Sequence, residues 1–213
     1  MFGNLHPPAS AVTELTRLIS EGKSNGYAPS TGTRQARSAI ARRYTAGRPF
    51  GELSPDDVMI CSGASGALQI AMDACMDAGD NILLPRPGFS LYATIAGYLN
   101  VEVRYYDLLP NQNWECDLTN AASLVDARTR AILVNNPSNP NGSNFSRAHL
   151  EQIVAFAEQQ KLLIISDEIY ADMVFQGQVF TPIADVSPEV PVIAIGGIAK
   201  QVSDGWSKQR ASV

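Results

Sequence analysis

At 213 residues, with 45% hydrophobic and 17% charged side chains, the chain has a globular composition and enough length to bury a substantial core. A net charge of -5, with Lys and Arg scattered rather than clustered, argues against nucleic acid or an anionic membrane surface as a partner. Cys61, Cys75 and Cys116 make neither a disulfide framework nor a metal knuckle, and the start MFGNLHPPASAVTEL has no basic region ahead of an apolar core, so a reducing compartment is expected, cytoplasmic with mitochondrial as the alternative.

In chain order, Val12, Leu15, Leu18 and Ile19 recur at helical spacing within Ser10 to Glu21, and a second helix is expected from Thr33 to Thr45. The loop SNGYAPSTG separates them. After the turn signal Ser54-Pro55-Asp56-Asp57 come short apolar runs, each read as a strand: Val58–Cys61, Ile82–Leu84, Val101–Tyr106, Ala131–Val134, Leu162–Ile165 and Val192–Ile195. Helical stretches at Ser65–Ala78, Phe89–Leu99, Leu118–Val125 and Ser146–Gln159 alternate with them, the last capped by Ser146. Runs that are apolar at consecutive positions fit strands covered on both faces, so the expected fold is a three-layer α/β/α arrangement around a mostly parallel sheet. Three stretches are distinguished: a helical segment over 1–50, a large domain over 51–200 and a tail over 201–213. His6 and His149 stand far apart without other ligands at suitable spacing; each is assigned a surface or capping role, and no metal is expected.

Open α/β sheets bind ligands beyond the carboxyl ends of their strands, which directs attention to the residues following each run. Ser62-Gly63-Ala64-Ser65-Gly66 is a small-residue turn entering a helix, able to offer main-chain N–H groups and a hydroxyl to a phosphate, or simply to allow tight packing. Asn135-Asn136-Pro137-Ser138-Asn139-Pro140-Asn141-Gly142 is a stiff loop rich in amide donors, Ser166-Asp167-Glu168-Ile169-Tyr170 follows the fifth run, and Gly196-Gly197-Ile198-Ala199-Lys200 follows the last. No G-x-G-x-x-G follows the first run, which weighs against a nicotinamide-binding domain.

Taken together, SNGYAPSTG, CSGASGAL, PRPGFSLY, NPSNPNG, SDEIY and GGIAK resemble the fold-type-I, pyridoxal-phosphate-dependent aminotransferases, and among them the tyrosine aminotransferase branch. The resemblance implies pyridoxal 5'-phosphate as cofactor, an amino acid and a 2-oxo acid as substrates, and a homodimer. By similarity, Lys200 holds the cofactor as an imine and shuttles the proton, and Asp167 pairs with the pyridine nitrogen. Tyr170 and Asn139 would bond the cofactor's phenolic oxygen, Phe89 would stack on its ring, and Gly63, Ala64 and Ser65 would cradle its phosphate. Tyr27 would reach the phosphate held by a neighbouring subunit. Past Lys200 the family pattern lapses: Lys208 stands where an arginine grips the phosphate, Arg210 is a substitute, and the family's C-terminal small domain, with its substrate-carboxylate arginine, has no counterpart. The resemblance therefore implies transamination of an aromatic amino acid by the intact family, with little activity from this chain alone. The alternatives are a lyase on the same scaffold and a non-catalytic relative that pairs with a full-length subunit.

Overall fold

The computed structural model describes residues 6–201; Lys208 and Arg210 lie outside the described residues. The described residues form two compact units, 6–61 with 198–201, and Ser62–Gly197.

In the first unit, α1 (Ala9–Glu21) follows Pro8 and ends at Gly22, whose φ of 65° makes the left-handed turn that lets its N–H bond the Ile19 carbonyl. α2 (Arg34–Thr45) begins at Thr33, whose side chain accepts from the Ala36 N–H. Arg37 on α2 donates to the Pro55 carbonyl at 2.6 Å and pairs with Asp56 at 3.2 Å, fastening the helix to the 3₁₀ turn Pro55–Asp57. That turn is closed by a capping box in which Ser54 and Asp57 bond one another's backbone and side chain.

Val58–Cys61 departs from its expected strand. It is extended at Val58, but the described residues provide no ladder: the Val58 N–H bonds the Pro55 carbonyl at 3.3 Å and the Ile60 N–H the Thr31 carbonyl at 3.0 Å. An apolar run becomes a strand when a neighbouring backbone pairs with it, and periodicity alone does not supply one.

The second unit is built on six strands: β1 (Asn81–Arg86), β2 (Glu102–Leu109), β3 (Glu115–Cys116), β4 (Thr129–Asn135), β5 (Leu163–Asp167) and β6 (Val192–Ile195). Their order is β3-β2-β1-β4-β5-β6, and every neighbouring pair is parallel except β2 with the short β3. The helices are α3 (Gly63–Cys75), α4 (Leu91–Tyr98), α5 (Leu118–Ser123) and α6 (Arg147–Gln160).

The consecutive apolar runs have a direct cause in the packing. Ile82, Leu84, Ala131, Leu133 and Ile165 meet Leu68 and Met72 of α3 and Tyr92, Ile95 and Ala96 of α4 on one face. Leu83, Ile132, Val134 and Ile164, the alternate residues, meet Leu150, Ile153 and Ala157 of α6 on the other. A mostly parallel sheet between two helical layers is thus the observed architecture. β1 pairs with β2 on one side and β4 on the other, so the sheet reverses its winding there, and ligand crevices open at the carboxyl ends of strands at such a reversal.

α6 starts as expected, with the Ser146 hydroxyl accepting from the His149 N–H at 3.1 Å. His149 itself is a correction: it is buried, not a surface residue. Its Nε2 accepts from the Cys116 N–H at 2.8 Å and its Nδ1 lies 3.1 Å from Gln152 Oε1, the arrangement of an Nδ1–H tautomer. The imidazole thereby satisfies the backbone of β3, a strand too short to leave a pattern in the sequence.

β1 runs into Pro87-Gly88-Phe89 ahead of α4. A Cβ on Gly88 would sit 2.5 Å from the Pro85 carbonyl oxygen, a backbone atom that cannot swing aside. Gly88→Ala should therefore lower stability by about 1–3 kcal/mol, the range for overpacking, and denaturant titration should show it as a lower midpoint with unchanged slope.

Candidate active site

The sequence LIISD places four residues in the β5 ladder and delivers Asp167 to its carboxyl end, opposite Asn135 of β4 and Ile195 of β6. Asp167 is 3% exposed, with Oδ2 accepting from the Tyr92 hydroxyl at 2.8 Å and Oδ1 from the Ile169 N–H at 3.1 Å. Burial holds its carboxyl above the usual carboxylate range, with these two donors pulling the other way. Among the described residues of its unit, no cation pairs with it. A buried acid with two donors and no counter-charge within its own unit has the chemistry to accept a cationic group.

Tyr92, on α4, is a residue the sequence reading passed over. Burial, then the charge of Asp167, push its phenol far above its ordinary value, so it remains a neutral donor to the carboxyl group. Tyr92→Phe should cost about 1.5–3 kcal/mol, as for a hydrogen bond to a charged group, and should raise the Asp167 pKa further, which carboxyl-resolved NMR titration would detect. Phe89, 40% exposed, lies edge-on to Tyr92 with ring centroids 5.6 Å apart and planes at 85°, so one contact chain links the two PRPGFSLY rings to the acid.

The loop after β4 is tied to the same strand end. Asn136 N–H and Asn135 Nδ2 both donate to the Asp167 carbonyl, at 3.1 and 3.0 Å, while Asn135 Oδ1 accepts from the Asn139 N–H at 2.7 Å. Asn135, also unsingled in the sequence, therefore couples Asn139 to Asp167 through one buried amide. Asn136 Oδ1 accepts from the Phe145 N–H at 2.8 Å and closes the loop's far end. Tyr170 sits half-buried in the turn following β5, where Ala171 N–H bonds the Glu168 carbonyl at 2.9 Å and Met173 N–H bonds the Tyr170 carbonyl at 2.8 Å. Burial and the charge of Asp167 raise its phenol as well.

Gly63, Ala64 and Ser65 form the first turn of α3, and Ser62 at its cap makes no side-chain bond to the helix. Gly63 has a φ of 69° and open space where a Cβ would lie. The first-turn amides of α3 thus have no side-chain cap and face no crowding from Gly63, the condition under which a helix start can receive an anion. The structure thus gathers Asp167, Asn139, Tyr170 and Phe89 around the carboxyl ends of β4 and β5. Tyr27 and Lys200 belong to the other unit: Tyr27 is fully exposed, and Lys200 is half-buried on α7 (Ile198–Gln201), which follows β6 in sequence.

A cavity of about 710 Å³ elsewhere in the second unit is lined by Trp114, Asn141, Asn144, Phe145, Phe175 and Val179 among others, and by none of these site residues. Among the described residues, no group of three His, Cys, Asp or Glu side chains could hold a metal ion, and no helix is long and apolar enough to cross a membrane.

The chain is similar to tyrosine aminotransferase of Bos taurus, 44% identical over 97% of this chain and 46% of that protein. It is also similar to a cystine lyase of Arabidopsis thaliana, 36% identical over 94% of this chain and 48% of that one. Among solved structures, tyrosine aminotransferase from Leishmania infantum superposes with a TM-score of 0.90 at 40% identity, covering 93% of this chain and 55% of that chain. The chain spans about half the length of the curated relatives it matches. The family model described as aminotransferase class I and II matches residues 2–203, and the chain belongs to that pyridoxal-phosphate-dependent family.

Proposed function

We propose that this chain is the cofactor-binding part of an enzyme that moves the amino group of an aromatic L-amino acid, tyrosine foremost, to a 2-oxo acid such as 2-oxoglutarate. The observation that carries the reading is Asp167, a buried carboxyl group with two donors and no cation paired with it in its own unit. The residues present fit pyridoxal phosphate: Asp167 suits a protonated ring nitrogen, and the uncapped start of α3 suits a phosphate. Bound there, the cofactor supplies an electron sink for the bond broken at the substrate α-carbon.

The remaining work falls to the chain's own groups. Lys200 Nζ is assigned to hold the cofactor and then to take the proton from the substrate α-carbon. Asp167 holds the proton on the ring nitrogen, with Tyr92 holding Asp167. Tyr170 and Asn139 are assigned to the phenolic oxygen, Phe89 to the ring face, and Gly63, Ala64 and Ser65 to the phosphate. Tyr27, exposed on its own unit, is assigned to the phosphate of a second subunit, which makes a homodimer part of the proposal. Donor and acceptor would use the same site in turn, in a ping-pong cycle.

A second reading is a lyase on this scaffold, favoured by the similarity to the Arabidopsis thaliana cystine lyase. Tyrosine and 2-oxoglutarate given to an enzyme that includes this chain should yield 4-hydroxyphenylpyruvate and glutamate. Ammonia released from cystine, with tyrosine left untouched, would decide for the lyase.

A further inference from the structure

Glu168 is 2% exposed, although it is a carboxylic acid one residue beyond the site's central acid. Its backbone N–H donates to the Ile195 carbonyl of β6 at 2.8 Å, carrying the β5–β6 pairing one residue past Asp167. Its Oε1 accepts from the Ser166 hydroxyl at 2.9 Å and from the Ile183 N–H at 3.1 Å. Ser166 and Ile183 are themselves buried, so neither donor has water as an alternative. Oε2 is buried with no hydrogen-bond partner. Glu168 thus touches three separate pieces of the unit: β5 through Ser166, β6 through Ile195, and the 3₁₀ turn Ile183–Val186. A buried carboxyl group with an orphan oxygen is costly as a fold-stabilising device, since an apolar side chain of similar size would avoid the desolvation. What such a group provides is geometry: two donors converging on one oxygen fix the direction in which the chain leaves the strand.

We propose that Glu168 is a positioning residue for cofactor binding, its buried carboxyl group anchoring Ser166 and Ile183 so that the chain bend after β5 holds the Asp167 side chain in a single orientation. The inference rests on the reading of Asp167 as the partner of the ring nitrogen. Burial pushes the Glu168 carboxyl up to about 7, with the charges of Asp185 and Asp167 acting in the same direction. The clamp is therefore largely a neutral acid below neutrality, and an uncharged amide can replace it.

The test compares Glu168→Gln, which keeps the accepting oxygen, with Glu168→Leu, which keeps the volume and removes it. Pyridoxal phosphate itself is the probe, and the readouts are its dissociation constant, the pH at which its bound absorbance changes, and the thermal midpoint. Glu168→Gln should bind within about threefold of the parent with the same pH midpoint; Glu168→Leu, cooperatively folded, should bind about tenfold more weakly, one lost hydrogen-bond anchor's worth, with a displaced midpoint. A folded Glu168→Leu protein with parental affinity and pH profile would overturn the proposal, as would Glu168→Gln damage equal to that of the leucine variant. If the leucine protein does not fold, Ser166→Ala decides: weaker binding with a displaced midpoint supports the clamp, and parental values overturn it. An Asp167→Asn arm separates the two layers. Parental binding there would overturn the reading of Asp167, and the clamp with it, whereas a defect there alongside an unaffected Glu168→Leu protein would overturn the clamp only.

Discussion

Replacing Lys200 with alanine should lower transamination by about 10⁴-fold in an enzyme that includes this chain, the upper end of what a positioned proton-transfer group contributes. The expectation follows from the role the resemblance gives Lys200, Lys208 standing instead at the position of the phosphate-binding arginine. No second lysine occurs in the motifs that resemble the family, and Lys23 and Lys161 sit at the ends of α1 and α6. A deputy would need hydrogen-bond reach of the substrate α-carbon as well as a free amine. Stopped-flow absorbance at the first half-reaction gives the rate directly. Pyridoxal phosphate should still bind Lys200→Ala, because the groups assigned to its phosphate and ring are elsewhere, but the bound form should lack the visible band of a covalent complex. A variant that kept both the band and the rate would leave Lys200 without a role.

Asp167→Asn should have the second largest effect, about 10²–10³-fold on turnover, the usual loss when one preorganised electrostatic partner is removed. It should do so without destabilising the protein in the absence of cofactor. The sign follows from the shift: the folded carboxyl titrates above its usual 3.8 because burial penalises the anion. Its contribution to stability is therefore fully present below the unfolded pKa and is lost as pH rises through the folded one. Wherever the buried carboxyl is ionised in the folded chain, burial weighs against the fold, and the amide removes that penalty. Thermal midpoints measured from pH 4 to 8 should fall less steeply for Asp167→Asn than for the parent, about pH 4 being the lower bound set by an ordinary aspartate. Glu168 has the same sign, over the window from 4.5 to about 7. Added cofactor should reverse the ranking, stabilising the parent more than the variant, because only the parent gains a charge pair on binding.

Much of this was legible in the sequence because the strands are covered on both faces. Ile82 to Leu84 and Ala131 to Val134 read as unbroken apolar runs since neighbouring residues face different helices, and both are strands in a parallel sheet. Ser146 is readable as a cap because capping is local. Val58–Cys61 looked the same by composition and is no strand among the described residues, because pairing depends on a distant backbone. β3 is too short to leave a pattern at two residues, and the surface or capping role expected of His149 misses its burial because its partner, the Cys116 N–H, lies far off in sequence.

The site divides in the same manner. Asp167, Asn139, Tyr170 and Phe89 drew attention by following strands in a recognisable order. Tyr92, Asn135 and Glu168 did not, although each bonds Asp167 or its immediate neighbours. Tyr92 stands three residues after Phe89, within the stretch Phe89–Leu99 expected to be helical, and that spacing was the available signal, although α4 itself begins at Leu91. Glu168 had none: an acid next to an acid ordinarily faces water, and only the fold reveals that this one is enclosed.

The most direct measurement is to incubate the protein with pyridoxal phosphate, reduce it with borohydride and map the pyridoxyl mass by peptide sequencing. The account predicts stoichiometric labelling on the peptide containing Lys200, lost on competition with a reduced, non-reactive cofactor analogue. Labelling spread over Lys23, Lys161 and Lys208, or none at all with Lys200 unmodified, would contradict it.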